Sequence, residues 1–356
     1  MRGVVIRVAG FVGALAFVGA VPGSSLIQQE AQAQTAPNEG FHDYVRTLRI
    51  QAAAQGVSQS TLNAVMGNLD FVPRAVELDR AQPGGAPGTA IPRFAPYREK
   101  HVDHARISRG RNKYLALRPL LQRVEQETGV PEEIMMAIYG HETNYGSYTG
   151  GFDLLNALAS LAYDGRRRDL FTSEFIATLK MMDRGFTREK LKGSWAGATG
   201  YPQFLPSMYL RVARDGDGDG RADIWSSEPD ALASIANYFV NAGWRRGVPW
   251  GVSASLPAEF DWTKVAAKTS SPRCARVHGR LSRWMTVAEW RALGVQPLRA
   301  GVRETELATL FQPDGPNSPA WLLTGNYRVI LDYNCSNFYA LSVGLLADAV
   351  QSGVPD

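Results

Sequence analysis

The chain has 356 residues with 45% hydrophobic and 20% charged side chains, a composition that suits two or three folded domains with real cores. Its formal charge is +4, falling to +3 if residues 1–33 with Arg2, Arg7 and Glu30 are removed, and its densest basic run is Arg166-Arg167-Arg168. That excludes nucleic acid as the expected partner and is weakly consistent with an anionic polymer.

Residues 1–33 read as a secretory signal peptide. Arg2 and Arg7 give a positive start, Val8–Val21 an apolar stretch too short for a membrane span, and Ala31-Gln32-Ala33 a small-x-small cleavage site. No cysteine follows the apolar stretch, so a lipid anchor is not expected. Residues 34–40 read as an irregular new N-terminus, the start of a helical segment over 34–128. There Phe41, Tyr44, Val45 and Leu48 recur at helical spacing and Gly56 stops the helix. Ser58 or Ser60 can cap a second helix carrying Leu62, Val65, Met66 and Leu69. Residues 82–96, with four prolines and three glycines, read as a loop, and helical pattern resumes from Ile107 to Thr128.

A core region over 129–250 is helical with glycine-rich interruptions, including helices over 154–163 and 172–184. After Pro229-Asp230 an amphipathic helix places Leu232, Ile235, Ala236, Phe239 and Val240 inside and closes at Gly243. Residues 251–333 are β-rich. Ala320–Thr324 and Tyr327–Leu331, separated by Gly325-Asn326, read as a tight hairpin, and Thr286 with Glu289 has capping-box spacing. A last helix over Phe338–Val350 lies in the C-terminal segment 334–356, expected to return to the core. The fold class is α+β, mainly α, and no internal repeat is visible.

Chemistry concentrates first at Ile134–Gly146. Pro131, Glu132 and Glu133 give a helix start, and Ile134, Ile138 and Glu142 share one face at i, i+4, i+8. A glutamate continuing an apolar stripe loses water, its pKa rises, and it becomes a candidate general acid. Spacing alone leaves open a solvated or paired glutamate. The second concentration is Gly193–Ser207. Its glycines allow close backbone approach, Trp195, Tyr201 and Phe204 offer flat faces, and Ser194, Gln203 and Ser207 offer short polar groups. That mixture suits a sugar ring, although a loop packed on its own aromatics shares the composition.

Gly-His-Glu-Thr-Asn-Tyr-Gly (140–146), Gly-Ser-Trp-Ala-Gly-Ala-Thr-Gly-Tyr-Pro-Gln-Phe-Leu-Pro-Ser (193–207) and Ala-Asn-Tyr-Phe (236–239) together resemble the lytic murein transglycosylase B family over about residues 40–350. The resemblance implies a lysozyme-like core with a helical domain and a small β domain, acting on the peptidoglycan glycan strand; the signal peptide adds the expectation of a periplasmic enzyme, taken as a monomer, with membership of a wall-remodelling complex left open. It implies that Glu142 is a single catalytic acid/base, needing no cofactor, that cleaves the MurNAc-GlcNAc β-1,4 bond and leaves 1,6-anhydro-MurNAc. It implies that Ser194, Gln203, Tyr238, Arg166, Arg167, Tyr333, Asn334 and Tyr339 border the glycan. Pro202 stands where the family commonly has Gly, and Met208 where a second Ser is common, so the local loop shape is the part of the motif to check. A lysozyme-type muramidase and a non-catalytic wall-binding protein are the rival readings.

Asp215-Gly216-Asp217-Gly218-Asp219-Gly220-Arg221 follows the start of a calcium loop, with Arg221 supplying a backbone carbonyl. Ser226 stands where a bidentate glutamate is expected, so Glu228 or Asp230 must close a longer loop, and Asp230 has a competing role as helix cap. A structural Ca2+ is expected there. Cys274 and Cys335 are the only cysteines, and in an exported chain they are expected to pair, with two separate thiols as the alternative.

Overall fold

The computed structural model describes residues 35–82, 92–267, 271 and 274–353, with side chains in the first helix from residue 40 onward. The expected signal peptide and most of the 82–96 loop lie outside the described residues. The helical body comprises α1 (Thr35–Ala54), α2 (Gln59–Val65), α3 (Pro73–Arg80), α4 (Phe94–His101), α5 (His104–Thr128) and α6 (Glu132–Thr143), then α7 (Leu154–Asp164), α8 (Arg168–Asp183), α9 (Pro206–Val212) and α10 (Glu228–Asn241). A ribbon of β1 (Phe152–Asp153) and β2 (Lys192–Gly193) lies among them. Then follow β3 (Gly251–Ser255), α11 (Ala275–His278), β4 (Met285–Thr286), α12 (Val287–Ala292), β5 (Gln296–Pro297), β6 (Leu307–Phe311) and β7 (Ala320–Thr324), before α13 (Gly325–Tyr333) and α14 (Asn337–Gln351).

Local chemistry sets most of these boundaries. Ser58 caps α2 by accepting from Thr61 N–H, and Asp103 caps α5 by accepting from Arg106 N–H. Thr286 and Glu289 form the expected capping box of α12. Helix α1 reaches back to Thr35, so residues 35–40, expected to be irregular, are helical. Pro37 falls in the first turn, where N–H groups lack an intrahelical partner in any case. Helix α4 was not foreseen, because Pro96 and the preceding loop composition masked it. Val240, expected inside, is 43% exposed at the end of α10.

Helix α6 is the central element. Its residues Ile134 to Tyr139 are no more than 1% exposed, and it packs against α14, α5 and α10. A helix apolar on all sides is held by tertiary burial rather than by its own propensity. Pro131 is its N-cap, and Asn144 closes it in a left-handed conformation.

The five strands β4-β6-β7-β3-β5 form one antiparallel sheet in that order. All of β7 is buried: Ala320 and Leu322 join a small core with Val252, Val265, Trp290 and Leu310, while Trp321 and Leu323 face the main helical core. Strand alternation thus links the two cores through one strand. The hairpin expected around Gly325-Asn326 is corrected. Thr324 accepts from Asn326 N–H and starts α13, so Tyr327–Leu331 is helical and its side chains join the main core. Asn326 is buried and bonds Arg245 and Val248 backbone groups, which fixes the chain where a turn was expected. Cys274 and Cys335 pair, with Cα atoms 5.4 Å apart, and tie α11 to the segment entering α14.

Candidate active site

Glu142 lies in the last turn of α6, half-buried, on the face that Ile134 and Ile138 continue inward. Beyond it Asn144, Tyr145 and Gly146 all take positive φ (51°, 60° and 81°), a sharp reversal that brings the chain back toward the glycine-rich segment. Gly140 makes room for this reversal, since a Cβ there would stand 2.5 Å from the Tyr145 ring. Burial pushes the Glu142 carboxyl up to about 7, while the hydrogen bond donated by Tyr339 Oη to its Oε1 at 2.5 Å pulls the other way. No neighbouring carboxylate contributes among the described residues.

The glycine-rich loop is fastened to the turn after Glu142. Thr143 Oγ1 contacts the Tyr201 carbonyl at 3.3 Å, and Gln203 Nε2 donates to the carbonyls of Thr149 (3.0 Å) and Gly200 (2.9 Å). Gln203 itself takes φ of 52°. Only its amide oxygen is left for a ligand. Ser194 Oγ accepts from Ala198 N–H at 3.0 Å, which staples the loop and keeps its hydroxyl proton for donation. Ser207, read from the sequence as a group facing a sugar, instead turns inward and donates to Glu174.

A wall of rings runs from the loop to Glu142. Tyr238 stands 6.0 Å from Phe204 and 4.6 Å from Tyr333, and Tyr333 stacks toward Tyr339 at 6.5 Å. Tyr333 Oη donates to the Pro202 carbonyl at 2.6 Å, a main-chain contact that glycine at this position would also offer. Asn334, 6% exposed, follows directly. Burial first, and the Glu142 charge second, keep Tyr333 and Tyr339 well above the ordinary phenol range. The same two causes push Tyr97 up to about 12, which reveals a residue of α4 beside Glu142 that the sequence reading missed. Behind Glu142, His141 is held neutral by burial and stacks with His101 at 5.6 Å.

Arg166 and Arg167 share a carboxylate of the helical body. Arg166 binds Asp79 of α3 through Nε at 2.6 Å and Nη2 at 2.8 Å, and Arg167 binds the same carboxylate. Burial alone would raise Asp79, but the two guanidinium groups hold it below the ordinary carboxylate range. Both arginines thus make a fold contact with Asp79, while the Arg166 side chain retains 38% exposure.

In the acidic loop, oxygens of Asp215, Asp217 and Asp230 lie within 4.8 Å of one another. Asp219 is not in this group; its Oδ1 accepts from Arg221 N–H at 2.8 Å. Asp230 is fully buried and accepts from Gly216 and Asp223 N–H groups, so it closes the loop. It is not the helix cap, a role that Ser227 takes. Glu228 is drawn away to Tyr139 Oη (2.7 Å) and Lys113 Nζ (2.6 Å). The all-oxygen donor set fits a hard cation such as Ca2+.

The transglycosylase SLT domain family matches residues 40–348. The chain is 32% identical over 256 residues to the membrane-bound lytic murein transglycosylase B of Escherichia coli K12, covering 71% of this chain and 66% of that protein. It resembles SltB3 of Pseudomonas aeruginosa, solved in complex with NAG-anhNAM-pentapeptide, with a TM-score of 0.78, 36% identity and coverage of 88% of this chain and 80% of that one. It also resembles the Escherichia coli lytic transglycosylase Slt35, solved in complex with calcium, with a TM-score of 0.70, 28% identity and coverage of 90% and 95%. Among the described residues no helix is long and apolar enough to cross a membrane. With the desolvated Glu142, the loop fastened beside it and these likenesses together, the chain belongs to the transglycosylase SLT domain family, the lysozyme-like lytic transglycosylases.

Proposed function

We propose that the chain is a peptidoglycan lytic transglycosylase that cleaves the MurNAc-GlcNAc β-1,4 bond with Glu142 as its single acid and base. Protonated Glu142 donates to the glycosidic oxygen, and GlcNAc leaves with a free 4-hydroxyl. The 2-acetamido oxygen of MurNAc shields the cation that develops at C1. Ionised Glu142 then takes the proton of the C6 hydroxyl, O6 bonds to C1, and 1,6-anhydro-MurNAc forms with no water consumed. The acid is regenerated in the same step.

One observation carries this reading. A paired-carboxylate glycosidase needs a second acid across the scissile bond, about 5–9 Å away. Among the described residues the hydrogen-bond partner of the Glu142 carboxyl is the Tyr339 hydroxyl, not a paired acid. A carboxyl held near 7 can act in both directions near neutral pH. Ser194, Gln203, Tyr238, Tyr333, Asn334 and Tyr339 border the glycan in this reading, supported by the ring wall and the loop bonds. Arg166 keeps an exposed edge for the strand, beside Arg167. Asp215, Asp217 and Asp230 hold a structural Ca2+, supported by the calcium complex of Slt35. The leader sequence supports export of the mature chain to the periplasm.

Mass spectrometry of digested peptidoglycan tests the reaction. The expected fragments end in a sugar lighter by one water than a reducing end, with no label from heavy-oxygen water. Labelled reducing ends would establish a muramidase instead. No fragments at all from an intact, folded protein would leave a wall-binding protein.

A further inference from the structure

Glu174 is a buried acid that the proposed reaction does not use. It lies in α8, is 2% exposed, and burial raises its carboxyl. Among the described residues its side chain hydrogen-bonds Ser207 alone. Oε2 accepts from Ser207 N–H at 2.9 Å and Oε1 accepts from Ser207 Oγ–H at 2.7 Å. Burying a carboxylate without a cation is costly unless its oxygens are satisfied, so this double bond is a demanding constraint on where Ser207 can stand.

Ser207 is the second residue of α9, directly after Pro206, and ends the glycine-rich segment. Four residues before it, Gln203 holds a left-handed backbone and spends its amide on Thr149, in the turn that follows Glu142. A non-glycine residue keeps such a conformation only where its flanks over-determine it. The bridge of Thr199 with Phe204 encloses Gln203 and pins the chain on both sides of it. Beyond Phe204, Pro206 and the Ser207–Glu174 contact anchor the C-terminal end of the same turn.

We propose that Glu174 is a positioning residue for the glycan loop: its double hydrogen bond to Ser207 sets the stance of Gln203 beside Glu142. Glu174 touches no substrate. It acts by acceptor geometry, so a glutamine, which can accept from the Ser207 N–H and donate to its hydroxyl oxygen, substitutes for it.

The inference rests on the proposed glycan-binding role of Gln203. Its test is therefore run as binding in the inactive Glu142→Gln background, with a soluble disaccharide-peptide fragment of peptidoglycan measured by calorimetry. If that fragment does not bind the Glu142→Gln protein at all, the proposed function fails before Glu174 is addressed. Given binding, Glu174→Ala is expected to weaken it about tenfold, the scale of one well-placed hydrogen bond. Glu174→Gln is expected to restore it to within about threefold, by the same scale. Gln203→Ala added to Glu174→Ala is expected to cost little more, because both remove one arrangement. If Glu174→Ala fails to fold, Ser207→Ala carries the same test, since it deletes one of the two bonds and keeps the other; coupling to Gln203→Ala is again expected. Unchanged affinity in a folded Glu174→Ala or Ser207→Ala protein, or full additivity with Gln203→Ala, overturns the proposal and leaves the Glu174–Ser207 bonds as a fold contact only.

Discussion

The end of α6 and the loop from Asp215 to Asp223 both set carboxylates among glycines, yet they tune them in opposite directions. Glu142 is half-buried, has lost much of its water and has one neutral hydroxyl as partner, so its proton is held up to about 7. Asp215 sits in solvent, where the N–H groups of Gly220 and Gly218 point at it and hold it below the ordinary carboxylate range. The first arrangement keeps a proton to give away, and the second keeps a negative charge for a cation. Surroundings, not residue type, separate the two roles.

The comparison breaks most readily at Glu142. Glu142→Gln is expected to lower turnover of purified sacculi about a thousandfold, within the range for a general acid. Chelation addresses the other carboxylates. If a cation joins Asp215, Asp217 and Asp230, a chelator is expected to lower the melting temperature by several degrees, with a loss of about 3 kcal/mol at saturating cation, and leave the pH profile of turnover unmoved. An unchanged melting temperature removes the cation from the account.

A third expectation follows from linkage. Glu142 has a folded pKa raised above its ordinary value, so the stability it lends is full below about 4.5 and is lost as pH rises through about 7. Glu142→Gln is therefore expected to gain on the order of 2 kcal/mol over wild type above neutral pH and little in acid. Equal stability at all pH values would show that the carboxyl is not desolvated. The smallest effect belongs to Tyr339→Phe. Removing that donor is expected to move the alkaline limb of activity upward by about half a pH unit, the worth of one hydrogen bond; a downward move would mean that the hydroxyl does not stabilise the anion.

Periodicity made α6 and its carboxylate legible, because Ile134, Ile138 and Glu142 announce one face regardless of what packs on it. The glycine-rich loop was legible through composition and order, but its internal bookkeeping was not. Nothing in Gly193–Ser207 distinguishes Gln203, which faces the turn after Glu142, from Ser207, which faces Glu174 across two helices. Tyr97 was invisible for the same reason, being placed beside Glu142 only by the packing of a short helix with proline in it. The false hairpin at Gly325-Asn326 came from a short apolar run that suits strand and helix equally; the Thr324 cap and the buried Asn326 decide it. Asp230 looked like a cap because it stands near a helix start, yet Ser227 holds that place and frees Asp230 for the loop.

The pH dependence of kcat/KM on a soluble glycan fragment tests the central claim most directly, because it reports the titration of the essential acid in the free enzyme. A desolvated Glu142 working as the proton donor predicts an alkaline limb centred near 7. A limb centred near 4.5, the ordinary glutamate value, would contradict it.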